Sequence, residues 1–320
     1  MNNPTTLGKA GKGGPGRAVA IGTFDGVHRG HRELFRRLAL EARQRGLESV
    51  ALTFDPHPLV VVRPDAAPPL LTETREKVAL IQNLGIDRVV VLPFDQDRAG
   101  QSARDFVGEV LVGGLSARLV LEGWNFSFGR GREGTPELLT RMGSENGFEV
   151  QVLPPVSLGD EVVSSTAIRE HLSHGRVERA AALLGRPYTV VGRVVRGERR
   201  GRTLGYPTAN LDLTPGLLVP GHGVYAVDAQ IGSTGELPDL SSATLCGMAN
   251  IGRRPTFGGE SDSVEVHLFD FQQDIYEQWL RLTFISKLRN ERTFPNAGTL
   301  IHQLDQDAAA ARHVLRQQVR

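Results

Sequence analysis

Residues Ala20–Phe35 read AIGTFDGVHRGHRELF. An apolar run ends, the chain turns through Gly22 and Gly26, and His28 and His31 stand at the opening of a helix. Three readings compete for this arrangement. Two histidines at i and i+3 can reach one metal ion, but zinc needs further ligands, and the nearby candidate is His57 in TFDPHP. No H-E-x-x-H and no cysteine pair supports zinc. A helix start with two exposed histidines is the plain alternative. Phosphate binding uses more of the residues. Glycines let the backbone approach a ligand closely, and the first turn of a helix offers unpaired N–H groups and a positive dipole end. Imidazoles placed there can donate to phosphate oxygens as charge builds up in a transition state.

Outward from this stretch, the first half alternates strand and helix. RAVAIGTF is a buried strand, and Leu34, Phe35, Leu38, Ala39 and Ala42 share one face of a helix that Gly46 ends. ESVALTF, DRVVVLPF, ARLVLEGW and FEVQVLPPV predict further strands. TETREKVALIQNLG, closed by Gly85, SARDFVGEVLVGG, opened by Ser102, and GTPELLTRMGSENG predict the helices between them. This alternation implies a parallel sheet with helices on both faces, whose ligands sit beyond the carboxyl ends of the strands. The histidine pair lies there. Near LLGRPYTV the pattern changes. YTVVGRVVRG, GVYAVDAQI, SATLCGMANIG, SVEVHLFDF and WLRLTFISKL are short strands separated by turn residues, as in a small antiparallel β-barrel. An amphipathic helix, AGTLIHQLDQDAAAARHVLRQQ, follows them. The predicted boundary falls near Arg186 and Pro187, giving a tail at 1–17 and domains at 18–186 and 187–320.

Composition narrows the function classes. The chain has 320 residues, enough for two domains of ordinary size. A formal net charge of +1 gives no global basic field for nucleic acid. The apolar runs are too short to span a bilayer. MNNPTTLGKAGKGGPGR lacks an apolar h-region and reads as a flexible tail, not a signal peptide. Cys246 is the single cysteine, which excludes an intrachain disulfide and suits a cytoplasmic protein.

GTFDGVHRGH resembles the H-x-G-H signature of the nucleotidyltransferase superfamily. TFDPHP, EGWNFSFGRGREG and SSTAIRE follow in the order found in the adenylyltransferase module of bacterial bifunctional riboflavin kinase/FAD synthetases. GRTLGYPTANL, GVYAV, VEVHLFDF and LRNERTF resemble the riboflavin kinase module. An ordered set across two domains is far more specific than any one motif. The resemblance implies a Rossmann-like α/β nucleotidyltransferase domain followed by a small antiparallel β-barrel with a C-terminal helix. The first would adenylylate FMN to FAD with release of pyrophosphate, and the second would phosphorylate riboflavin to FMN.

It also implies roles for matching positions. Gly22, Thr23, Phe24, Asp25, Gly30 and the catalytic histidines His28 and His31 would line the ATP phosphates. Ser164, Ser165, Thr166 and the catalytic Arg169 would form a second phosphate clamp, a geometry that also serves an ordinary helix cap. Asn125, Asp55 and His57 would face flavin or its phosphate, although Phe126 and Phe128 beside Asn125 read as core. In VEVHLFDF, strand alternation sends Val264, Val266 and Leu268 one way and Glu265 and His267 the other. The resemblance makes Glu265 the base for the ribityl hydroxyl. Thr208 and Asn210, two apart, are oxygen donors suited to Mg²⁺, which arrives with ATP. VVRGERRGRTLG, with Gly201 and Gly205, would be the flap over ATP, and Arg289 would lie near flavin or phosphate. No Walker A loop occurs.

The expected partners are the small molecules riboflavin, FMN and ATP, with no nucleic acid and no membrane; a homo-oligomer is compatible with all of this. Two rivals remain at this level. One is a single-activity nucleotidyltransferase carrying a non-catalytic barrel. The other is a nucleotide-binding domain fused to an RNA-binding barrel, which the near-neutral charge disfavours.

Overall fold

The structure is a computed structural model that describes residues 16–197, 201, 204–232, 238, 243–256 and 259–318. The tail reading concerns residues that lie almost wholly outside this range; Arg17, at its end, already opens the first strand. The chain forms two compact units, Met1–Ser165 and Thr166–Arg320.

The first unit runs β1 (Arg17–Ile21), α1 (Arg29–Arg45), β2 (Glu48–Asp55), α2 (Pro58–Val62), α3 (Thr74–Gln82) and β3 (Arg88–Pro93). It continues through α4 (Gln96–Gly100), α5 (Ala103–Phe106), β4 (Ala117–Gly123), α6 (Pro136–Asn146) and β5 (Glu149–Leu153). A short hairpin, β6 (Ser157–Leu158) and β7 (Glu161–Val162), ends it. The five long strands form one sheet in the order β3-β2-β1-β4-β5, and every pair is parallel. β1 is buried on both faces, which is why it reads as an unbroken apolar run. Val19 and Ile21 join one core with Phe106, Leu139 and Met142; Ala18 and Ala20 join the other with Phe35, Leu38 and Ile81. The chain moves outward from β1 to β3, then returns to place β4 on the other side of β1. That reversal opens a crevice at the carboxyl ends of β1 and β4.

Local signals set the helix ends. Gly46 caps α1 at φ 65°, where a Cβ would be strained. Ser102 caps α5 by accepting from the Asp105 N–H. The helix then widens into a π-helical stretch over Val107–Gly114, which periodicity did not predict. α3 stops at Gln82, before the predicted Gly85, which instead takes φ 81° in the turn beyond.

The second unit holds most of α7 (Ser165–Ser173), then α8 (Val177–Leu184), β8 (Tyr188–Val195), β9 (Ala209–Leu213), β10 (Gly223–Ile231), β11 (Leu245–Thr256), β12 (Gly259–Leu268), β13 (Trp279–Arg289) and α9 (Ala297–Gln318). The strands close a barrel in the order β10-β11-β12-β9-β8-β13. Tyr225, Val227, Ala249, Ile251, Val266 and Phe284 are buried on one face of their strands. Val224, Ala226, Met248 and Ile285 on the other face pack against Ala308, Ala311 and Leu315 of α9. α8 belongs with this barrel, since Glu178 accepts from the Ser286 hydroxyl at 2.6 Å and from the Lys287 N–H at 3.2 Å. Composition changes at Arg186 and Pro187 because helix gives way to strand there; packing divides the chain earlier, at Ser165 and Thr166. No helix among the described residues is long and apolar enough to cross a membrane.

Candidate active sites

The first candidate site surrounds the exit from β1. Gly22 N–H donates to the Leu52 carbonyl, and a Cβ on Gly22 would stand 2.7 Å from the Phe24 ring. Phe24, Gly26 and Val27 all take positive φ (48°, 85° and 41°), so the turn is tight and two of its members are strained. His28 then caps α1, its Nδ1 accepting from the His31 N–H at 3.4 Å. That bond requires the Nδ1 lone pair. The two imidazoles stack with centroids 3.6 Å apart. Gly30 leaves room for this, because a Cβ there would lie 3.1 Å from the His28 ring. α1 has no acidic residue in its first turn, the place where an acid normally offsets the dipole, and Arg29 and Arg32 stand there instead. Such a helix start is arranged for an anion.

Two members of the expected phosphate-lining set, Phe24 and Asp25, have buried side chains. The Phe24 ring is buried against His31 and Phe35. Asp25 is also buried, and its carboxylate accepts from the N–H groups of Leu71 and Thr72 at 3.0–3.1 Å. It ties the turn to the segment before α3, and facing phosphate it would repel. Ser165 acts similarly, its hydroxyl donating to the Asp25 carbonyl at 2.8 Å. Ser164 immediately precedes it, and Thr166 and Arg169 follow on α7 within the second unit.

Sequence reading missed Lys77. It is 6 % exposed, and its ammonium donates to the Thr23 carbonyl at 3.1 Å and the Phe54 carbonyl at 3.4 Å. Burial pushes its pKa below the ordinary lysine value, with the charges of Asp25 and Asp55 opposing. The available signal was a lysine sharing the buried side of α3 with Val78 and Ile81. Lys77, Asp25, Asp55, His57, Thr72 and Thr74 line a cavity of about 60 Å³ together with apolar neighbours. Within it the Thr74 hydroxyl donates to Asp55, and His57 caps α2 by accepting from the Leu59 N–H.

Asn125 is exposed on the turn that follows β4, beside Trp124. Phe126 and Phe128 stack at 5.5 Å, and Phe128 packs on Phe106 in the core, as expected of them. Beneath this turn lies a second group the sequence did not announce. Glu122 is fully buried and neither carboxyl oxygen has a hydrogen-bond partner. Burial, then the charge of Glu137, raises its pKa to about 8.

The second candidate site is on the barrel. Val264, Val266 and Leu268 are buried and Glu265 and His267 half-buried, as the alternation required. Glu265 pairs in register with Asn210 of β9 on one side and Asn250 of β11 on the other. The Thr208 hydroxyl lies 3.5 Å from Glu265 Oε2, so three oxygen-bearing side chains converge. Gly197 and Gly201 crowd this group, since a Cβ on either would collide with the Asn210 side chain or the Tyr206 carbonyl. Gly205 takes φ 85°. The rest of the predicted flap, residues 198–200 and 202–203, lies outside the described residues.

Arg289, the residue expected near flavin or phosphate, lies at the end of β13. Its guanidinium makes a nearly buried ion pair with Asp307 of α9, at 2.8–3.0 Å, and lies over the Phe294 ring. It fastens the helix to the barrel. Cys246 has its thiol pKa raised by burial and by Asp228, the opposite of an activated nucleophile.

Comparison with known proteins covers both units. A family model described as FAD synthetase matches residues 12–167, and one described as riboflavin kinase matches residues 184–315. A protein of Escherichia coli strain K12 described as bifunctional riboflavin kinase/FMN adenylyltransferase is 39% identical over 297 residues, covering 93% of this chain and 92% of its own length. One of Bacillus subtilis strain 168 with the same description is 34% identical over 297 residues, covering 92% and 90%. A crystal structure described as a macrolide-efflux protein from Streptococcus pneumoniae superposes with a TM-score of 0.81 at 33% identity, covering 94% of this chain and 95% of that one. That description concerns the other protein, and what is shared is a fold over nearly the full length.

Proposed function

The chain belongs to the bifunctional riboflavin kinase/FMN adenylyltransferase family, and from that membership we propose which residues carry each of its two reactions. It phosphorylates riboflavin with ATP to give FMN, and adenylylates FMN with a second ATP to give FAD.

In adenylyl transfer the nucleophile is a phosphate oxygen of FMN, already ionised near neutral pH. It attacks the α-phosphorus of ATP, the bond to the β-phosphate oxygen breaks, and pyrophosphate leaves. No base is required. Alignment and charge neutralisation remain. We assign these to the N–H groups opening α1, the stacked pair His28 and His31, and the backbone of Gly22, Thr23 and Gly30. Asp25, Ser165 and Lys77 hold that turn in place. Ser164, Thr166 and Arg169 are assigned to a second phosphate clamp on the resemblance of SSTAIRE alone. Asn125, Asp55 and His57 are assigned to FMN; the cavity beside Asp55 and the exposed turn at Asn125 support that reading.

In riboflavin phosphorylation the nucleophile is a neutral hydroxyl. We assign Glu265 to take its proton as the hydroxyl oxygen bonds to the γ-phosphorus and ADP departs. The convergence of Thr208, Asn210 and Glu265 is the observation that carries this reading. Their donors are a hydroxyl, an amide and a carboxylate oxygen, a hard set that fits Mg²⁺ shared with nucleotide phosphates. Thr208 and Asn210 would hold it, and when bound it would neutralise and orient the phosphates. Gly201 and Gly205 are assigned to the flap over ATP. The substrates are small molecules, with neither nucleic acid nor membrane involved, and the reading places the enzyme in the cytoplasm.

The test is direct. The purified chain is incubated with riboflavin, ATP and Mg²⁺, and products are separated by chromatography. FMN appearing first and FAD after it supports both assignments. FAD formed from supplied FMN, with no FMN formed from riboflavin, would reduce the barrel to a non-catalytic module.

A further inference from the structure

We propose that His267 is a positioning residue for the segment Pro207–Asn210, holding the oxygen donors Thr208 and Asn210 against Glu265. The proposal rests on the kinase-site reading above and deepens it.

The ladder between β9 and β12 runs Leu211↔Val264, Asn210↔Glu265 and Ala209↔Val266, and there it ends. The next rung would join Thr208 to His267. Instead the His267 side chain continues the connection, with Nδ1 2.8 Å from the Pro207 carbonyl oxygen. A carbonyl can only accept, so Nδ1 carries the proton and donates. Pro207 itself has no N–H to offer a neighbouring strand. The imidazole therefore supplies, from a side chain, the bond that the sheet cannot make at this point.

The ring is itself held in orientation. The Tyr206 ring meets it edge-on at 5.0 Å from one neighbour, and Phe269 at 5.7 Å from another. The Tyr206 hydroxyl donates to Asp305 of α9, and Arg312 of α9 lies 4.0 Å over the Phe269 ring. Glu265 and His267 share one face of β12, two residues apart. The strand that carries the base thus also fixes the segment carrying the metal donors. A displacement of Pro207 would move Thr208, whose hydroxyl lies at 3.5 Å from Glu265. Loss of a group that orients metal ligands in this way typically costs roughly tenfold to a hundredfold in metal affinity or activity.

The test uses the full chain and three variants chosen by atom position. His267→Asn puts an amide N–H where Nδ1 stands, His267→Gln puts one where Nε2 stands, and His267→Ala puts none. Mn²⁺ binding in the presence of a non-hydrolysable ATP analogue is followed by electron paramagnetic resonance, and the component lost in Asn210→Ala defines the kinase-site metal. In His267→Ala and His267→Gln that component should weaken roughly tenfold to a hundredfold, while His267→Asn restores it. The Mg²⁺ requirement for FMN formation should rise in parallel, with kcat at saturating metal much less affected. FAD formation from supplied FMN should be unchanged in all three. Wild-type Mn²⁺ binding in His267→Ala, with Asn210→Ala weakened, would overturn the clamp while leaving the site reading intact. Wild-type binding in Asn210→Ala would overturn the site reading itself. Equal loss in the Ala and Asn variants, accompanied by a lowered Tm, would make His267 merely structural and would also overturn the proposal.

Discussion

On the assignments proposed above, the turn after β1 and the face of β12 solve two phosphoryl problems with different materials. The turn is largely backbone. Thr23 and Asp25, beside its positive-φ residues, are tied down by Lys77, Ser165 and the Leu71 amide, and the turn leads into a helix start that carries two imidazoles. The β12 site is made of side chains, with Glu265 flanked in register by Asn210 and Asn250. The difference follows from the nucleophiles. An FMN phosphate is already an anion and needs a fixed positive field, which a helix start provides at no cost in reorganisation. A ribityl hydroxyl must lose a proton, and a strand can present a carboxylate on one face while its other face packs the core.

The first way to break this contrast is Glu265→Gln, which keeps size and hydrogen bonding but removes the base. Turnover in FMN formation should fall by roughly 10²–10⁴, measured at saturating Mg²⁺-ATP, while flavin fluorescence titration shows riboflavin still bound. Wild-type turnover would mean that Glu265 takes no proton. The matching change at the other site is His28→Ala. FAD formation from FMN should drop by roughly 10²–10³, the usual loss for one transition-state donor. A smaller loss than that of a neighbouring surface histidine would place His28 outside the chemistry.

The barrel also carries a nearly buried ion pair, between Arg289 and Asp307. Asp307→Ala leaves Arg289 nearly buried without its partner and should cost about 3 kcal/mol in denaturant unfolding of the barrel. The double change Arg289→Met with Asp307→Leu should cost less, because no charge is stranded. If the double change cost more than the single one, the pair would be more than a structural fastening.

A change read as a slope against pH, not as a loss at one pH, concerns Glu122. Its folded pKa, about 8, lies above its ordinary value of 4.5, so the folded state holds a proton that the unfolded state releases. Stability contributed by the neutral form is complete below pH 4.5 and declines as pH rises toward 8, with a limiting slope of about 1.4 kcal/mol per pH unit. Glu122→Gln should flatten the wild-type fall in Tm between pH 5 and 8. An unchanged slope would show that another group carries it.

Much of this was legible in the chain. The opening stretch gave strand, turn and helix because apolar continuity, glycine and a 3.6-residue period agree there. Glu265 could be assigned a face because Val264 and Val266 bracket it. What stayed hidden depends on burial that pattern does not encode. Asp25 sits among the phosphate-turn residues yet spends its carboxylate on the Leu71 and Thr72 amides, forty-odd residues away. Arg289 pairs with Asp307 across the barrel surface, and only the packing of α9 reveals it. Lys77 and Glu122 look like surface charges in sequence and are both buried.

On these assignments one transfer needs a base and the other does not, and they take place in separate sites. The most direct measurement assays Glu265→Gln and His28→Ala each with riboflavin and with FMN as the starting flavin. Glu265→Gln should make FAD from FMN at the wild-type rate and almost no product from riboflavin. His28→Ala should make FMN from riboflavin at the wild-type rate and stall before FAD. Loss of FAD formation from FMN in Glu265→Gln, in a variant that unfolds at the wild-type temperature, would contradict the claim.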